Sequence, residues 1–94
     1  MTVYVDDAVH LWRDQRWAHL MADRLDELHA MAERLGLPRR AFQNKTSGAH
    51  YDVPAQLRER ALALGAVAIS RHRDRAQVRA VIANARRQGR GEQP

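Results

Sequence analysis

The sequence predicts an α/β fold: a single small domain with about four short strands in one sheet and about three covering helices. Short apolar runs at residues 3–7, 17–22, 40–43 and 66–70 alternate with segments of helical periodicity. Gly36 with Pro38, and later Gly65, close two of those segments, and 94 residues hold one small core. The domain is expected over residues 1–88, with 89–94 as a flexible basic tail.

The elements follow in order. Val3-Tyr4-Val5-Asp6-Asp7 reads as a short buried strand ending on two carboxylates. Ala8 to Arg16 mixes Trp12 with charge at no sustained period and reads as an irregular loop. Trp17 to Ala22 alternates weakly and predicts a second strand. Asp23 is placed as an N-cap, with Asp26 and Glu27 in the first turn, where the helix dipole favours negative charge. Leu25, Leu28, Ala32 and Leu35 then recur at helical spacing until Gly36. Arg40 to Gln43 predicts a short strand, and Asn44 to Ala49 a polar loop with Gly48 available for positive φ. Pro54 suits the first turn of a second helix, whose buried stripe is Leu57, Ala61 and Leu64. Ala66 to Ser70 predicts a covered strand. Asp74 is expected to cap a third helix with Val78, Val81, Ile82 and Ala85 on one face and Arg75, Arg79, Arg86 and Arg87 largely elsewhere.

The net charge of +5 is unevenly placed. Residues 71–94 hold seven arginines against Asp74 and Glu92, whereas residues 1–70 are balanced. The excess is thus a basic appendage on a neutral body. Without cysteine there are no disulfides, thiolate zinc sites or cysteine nucleophiles, so any metal must use His, Asp or Glu. No apolar stretch reaches the ~18 residues of a membrane span and no signal-peptide pattern opens the chain, so a cytoplasmic protein without membrane contact is expected. Glycine-rich phosphate loops are absent, and neither Ser47 nor Ser70 lies in a nucleophile elbow.

Several stretches together resemble a known family. V-Y-V-D-D at 3–7, W-x-H-L-M-A-D ending at Asp23, D-E-L-H-A-M-A at 26–32, F-Q at 42–43, H-Y-D at 50–52 and R-x-x-A-L-A-L-G-A-V ending at Val67 carry the likeness. The pattern is similar to short actinobacterial and bacteriophage proteins known only as a domain of unknown function. The resemblance covers about residues 1–70 and implies no established reaction. Pro54 stands where that family leads one to expect a Ser-like cap.

The candidate chemistry gathers at element ends. Asp6, Asp7, His19, His50 and Asp52 are the residue types that hold a divalent ion in a cysteine-free site, and Asp6, His50 and Asp52 are the expected metal ligands and acid/base groups. Asp7, His19, His29, Gln43, Tyr51 and Arg58 are the expected ligand-binding residues, with Arg58 near a helix start suited to an anion. The expected ligand carries phosphate, as nucleotide or nucleic acid, with metal-assisted hydrolysis as the associated reaction class. Against this, the aspartates can cap loops and a helix start, His50 can bond a carbonyl, and Arg58 can pair with Asp52 or Glu59. His29 borders the buried face of the first helix, and Glu27 is expected to face solvent. Trp17 is the expected core anchor, and Trp12 a lid, stacking platform or oligomer contact. The alternative function is an interaction module whose Arg75, Arg79, Arg86 and Arg87 dock nucleic acid or an acidic protein; a homodimer over a sheet edge is a third possibility.

Overall fold

The computed structural model of the chain describes residues 2–8, 10–45, 48–70, 76, 79–81 and 83. It is an α/β domain with more strands than the sequence suggests. Six strands form one mixed sheet: β1 (Val3–Val5), β2 (His10–Trp12), β3 (Gln15–Ala22), β4 (Gln43–Lys45), β5 (Gly48–Pro54) and β6 (Val67–Ala68). Their order is β4-β5-β3-β1-β6, with β2 paired to β3 alongside β1. Among the described residues only the β1–β6 pair is parallel, and the other pairs are antiparallel. Helices α1 (Leu25–Arg34) and α2 (Ala55–Ala63) and a 3₁₀ turn (Arg39–Ala41) accompany the sheet among the described residues, and positions 76, 79–81 and 83 are helical.

The extra strands come from turns that the sequence conceals. Where an irregular loop is expected over residues 8–16, residues 10–17 form a hairpin: His10, Leu11 and Trp12 pair with Trp17, Arg16 and Gln15. Arg13 (φ 51°) and Asp14 (φ 61°) supply its two-residue turn, both left-handed as a type I′ turn requires. The usual Asn-Gly signal is missing, so composition alone does not mark this hairpin. Similarly, Arg39–Ala41 is a 3₁₀ turn, and the polar stretch after it pairs as β4 with β5, so Gly48 begins a strand.

Both helices end as their glycines dictate. At α1, Gly36 (φ 79°) lets its N–H reach Glu33 O (3.0 Å) and that of Leu37 reach Ala32 O (2.9 Å). Gly65 (φ 107°) repeats the arrangement at α2, with N–H bonds from Gly65 to Leu62 O and from Ala66 to Ala61 O. These are Schellman closures, which need a residue that tolerates the left-handed region. The α1 start is displaced by one residue: Arg24, not Asp23, is the N-cap and makes no side-chain cap bond. Asp26 accepts from the Glu27 N–H and from Arg24 Nε, and that guanidinium holds the Asp26 carboxyl below its usual range. Asp23 accepts instead from the Tyr4 hydroxyl (3.3 Å).

Strand alternation gives the sheet two unlike faces. Val5, Ala18, Leu20, Ala22, Ala49, Tyr51 and Val53 point to one side, where Leu25, Leu28, Met31, Ala32 and Ala61 of α1 and α2 bury them. Each of the fully buried Val5, Leu20 and Leu28 contributes about 1.5–3 kcal/mol. The opposite face carries a smaller cluster, in which Val81 of the C-terminal helical segment covers Tyr4, Met21 and Ile69. Beyond that cluster the same face turns polar. Contrary to the covered strand expected there, β6 is an edge with both residues exposed.

Candidate metal centre

The polar half of the second face is built by three strands. The ladder between β1 and β3 continues one residue past Val5, where the Asp6 N–H donates to His19 O (3.1 Å). Pairing then breaks and resumes at His10. The break leaves the Asp6 side chain beside His19, and its carboxylate accepts from the His19 backbone N–H at 2.6 Å and from Nδ1 at 2.8 Å. Asp6 is 2% exposed, so these bonds replace its lost hydration. A carboxylate only accepts, so the proton of His19 is held on Nδ1 and its Nε2 lone pair is directed away from Asp6.

Across the sheet His19 stands in register with Asp52, and Gln43 with His50. His50 and Asp52, two apart on β5, share a face, and Tyr51 between them takes the other. His19 Nε2 lies 3.8 Å and His50 Nε2 3.4 Å from Asp52 Oδ1. One ligand atom from each of the three lies within 4.8 Å of the others. Donors at ~2.0–2.2 Å from a tetrahedral ion stand about 3.3–3.6 Å apart, so small side-chain movements would close this group around one cation. The Gln43 amide donates to Asp52 Oδ2 (2.5 Å), which orients the carboxylate and leaves Oδ1 toward the histidines. The two imidazoles meet edge to face, 5.1 Å apart. A cleft of about 180 Å³ opens beside them, lined by Trp12, Trp17, His19 and Asp52.

The residues singled out from sequence fall into three places. Asp6, His19, Gln43, His50 and Asp52 converge, but Asp6 stands behind His19 instead of among the donors grouped around Asp52. Tyr51 and His29 belong to the opposite face: the Tyr51 hydroxyl lies 2.8 Å from His29 Nδ1, and Phe42 packs on the His29 ring (4.6 Å). Arg58 is engaged structurally. Its Nε donates to Asp6 O (2.7 Å), with Asp7 and Glu59 oxygens at 3.8 and 3.3 Å, so α2 is tied to the end of β1. Glu27 is not simply solvated, because its Oε1 is buried and has no hydrogen-bond partner among the described residues. Arg79 is exposed on the C-terminal helical segment. Arg75, Arg86, Arg87, Asp74, Val78, Ile82, Ala85 and the tail lie outside the described residues.

Trp12, expected as a lid, stacking platform or oligomer contact, lines the cleft, and so does Trp17, which is part-buried and belongs to neither core cluster instead of anchoring the core. Trp12 and Trp17 form one wall of the cleft, with rings 5.6 Å apart at 62° and Trp17 Nε1 donating to Trp12 O (3.0 Å). The available signal was the alternation W-x-H on β3 and H-x-D on β5, which puts each pair on one face once both segments are strands.

The fold and site thus define a small α/β domain with a two-histidine, one-carboxylate cluster on an open sheet face. The chain belongs to the family described as "Protein of unknown function (DUF4031)", whose model matches residues 3–81. That match extends past Val67, where the quoted motifs stop, to Val81, which is buried against the sheet. Comparison with curated proteins and with solved structures gives no match. Among the described residues no helix is long and apolar enough to cross a membrane.

Proposed function

We propose that His19, His50 and Asp52 hold a divalent transition-metal ion and present it to a phosphate ester. The observation that carries this reading is the outer support: Asp6 fixes the His19 tautomer and Gln43 orients Asp52, the pattern by which proteins aim metal ligands. Two imidazoles with one carboxylate suit Zn²⁺, Fe²⁺ or Mn²⁺ better than Mg²⁺, which takes oxygen donors and keeps its waters. Three protein ligands leave coordination positions for water and substrate, as in catalytic zinc sites. The donors sit on β3 and β5, adjacent strands inside the sheet, and the cleft gives access.

Bound there, the ion would acidify a water and polarise a phosphoryl oxygen. In hydrolysis the water oxygen bonds to phosphorus, the ester P–O bond breaks, and the departing oxygen takes a proton. Asp6, paired with His19, holds the proton of the neutral ring on Nδ1 and would support the ion's charge from behind.

Calorimetric titration with Zn²⁺ and Mn²⁺, followed by a phosphodiester hydrolysis assay on the loaded protein, tests the reading. One equivalent should bind to wild type, and His50→Ala and Asp52→Ala should each weaken binding at least about tenfold. Unchanged affinity in both variants removes the proposal. Hydrolysis that proceeds without metal would instead assign the Asp6–His19 pair as a general base.

A further inference from the structure

The cleft beside the three candidate ligands has a wall that metal binding does not need. Trp12 is 57% exposed and its neighbour Leu11 71%, although burial of either would stabilise the domain. The Trp12 ring is nonetheless held. Trp17 anchors the Trp12 carbonyl, its ring meets Trp12 edge to face, and the Arg13 guanidinium carbon lies 4.5 Å from the Trp12 centroid. The turn that carries Arg13 takes left-handed backbone at two non-glycine residues, a conformation that costs stability at each. An exposed, preorganised aromatic with a guanidinium over its ring offers planar groups on which a base stacks, and such a surface loses little entropy on binding.

Size and charge narrow the ligand. About 180 Å³ is below the ~300–1,000 Å³ of sites that enclose a whole small ligand, so the cleft accommodates one ring and leaves the rest outside. Residues 71–94 carry all of the chain's excess of +5, as seven arginines against two acids. Of these, Arg79 is exposed, and Val81, two residues on, packs on Tyr4 and Met21, the face that also carries His19 and Asp52. A polyanion that continues beyond the cleft matches that charge.

Resting on the metal reading above, we infer that the ligand is single-stranded nucleic acid, with one base stacked at Trp12 and an adjacent phosphodiester at the ion. Because every base has a stacking face, recognition is tolerant of sequence.

The test measures binding of fluorescein-labelled oligothymidylate to the zinc-loaded full chain by anisotropy. Three comparisons go with it: the Trp12→Ala variant, an abasic oligonucleotide, and thymidine monophosphate. Trp12→Ala should weaken oligonucleotide binding about 5- to 150-fold, the stacking contribution of one base. The abasic strand should lose a similar factor and be indifferent to the substitution. Affinity should also fall with rising salt. Zinc titration of the variant should match wild type, and its melt should stay cooperative with Tm lowered by only a few degrees for the lost ring contacts with Trp17 and Arg13, which shows that fold and site persist. Equal binding of the oligonucleotide to wild type and variant overturns the inference, as does monophosphate binding as tight as the strand. No oligonucleotide binding by a protein that does take up zinc overturns this inference alone; absence of zinc binding overturns the metal reading on which it rests.

Discussion

Replacing Asp6 with asparagine exchanges one oxygen for an amide nitrogen and should reverse the tautomer of His19. In the wild type, Oδ1 accepts from the His19 backbone N–H at 2.6 Å and Oδ2 from Nδ1 at 2.8 Å. Asparagine can keep the first bond only by turning its NH₂ toward Nδ1. That nitrogen must then accept, and the ring proton moves to Nε2, the atom 3.8 Å from Asp52 Oδ1 that the ion requires. Loss of an outer partner of this kind lowers metal affinity about 10- to 100-fold, or ~1.4–2.7 kcal/mol. The apo protein should lose less, about 1 kcal/mol, because a charge-assisted bond becomes a neutral one at a nearly fully buried position. For a chain of 94 residues that lowers Tm by about 4–8 °C. Zinc calorimetry together with long-range ¹H–¹⁵N spectra of the imidazoles reads both effects. An Asn variant that binds zinc as tightly as wild type, or a wild-type His19 with its proton on Nε2, would refute the reasoning.

Other perturbations separate the two faces of the sheet. Tyr51→Phe removes the hydroxyl that meets His29 and should cost about 1–3 kcal/mol in denaturant unfolding while leaving zinc affinity unchanged, since Tyr51 faces away from the cluster. Leu20→Ala, at a fully buried centre of β3, should cost about 2–5 kcal/mol and show as a large drop in the urea midpoint. Changing Arg13-Asp14 to Asn-Gly should raise Tm, because residues suited to a type I′ turn relieve about 1 kcal/mol of left-handed strain, partly offset by the lost Arg13–Trp12 contact. Saturating zinc at about 100 times its Kd should stabilise the wild type by ~2.7 kcal/mol in a thermal melt, and His50→Ala, binding at least about tenfold more weakly, should cut that shift to ~1.4 kcal/mol or less at the same zinc concentration.

The helices were legible in the sequence because their signals are local: Leu25, Leu28, Ala32 and Leu35 repeat at helical spacing, and Gly36 and Gly65 sit where positive φ is needed. The hairpin at 10–17 was not, because Arg13 and Asp14 carry a turn that composition associates with glycine and asparagine. Calling 44–49 a loop had a wider effect. Read as a cluster after a loop, His50, Tyr51 and Asp52 look equivalent; on a strand, alternation sends Tyr51 into the core and leaves the other two on the open face. Asp6, His50 and Asp52 were visible as chemistry. That His19 would stand between Asp6 and Asp52 depends on the register of β3 against both β1 and β5, a long-range pairing that no local pattern encodes. Arg58 was visible too, yet in place of an external anion it meets the Asp6 carbonyl oxygen and the nearby carboxylates of Asp7 and Glu59.

The central claim is that His19, His50 and Asp52 together bind one ion with Asp6 behind it, and a crystal structure of the zinc-loaded protein tests it most directly. The account predicts a single strong anomalous peak at ~2.0–2.2 Å from His19 Nε2, His50 Nε2 and an Asp52 oxygen, with Asp6 still bonded to His19 Nδ1. No peak at these residues, or an ion bound by Asp6 itself with His19 turned away, would contradict it.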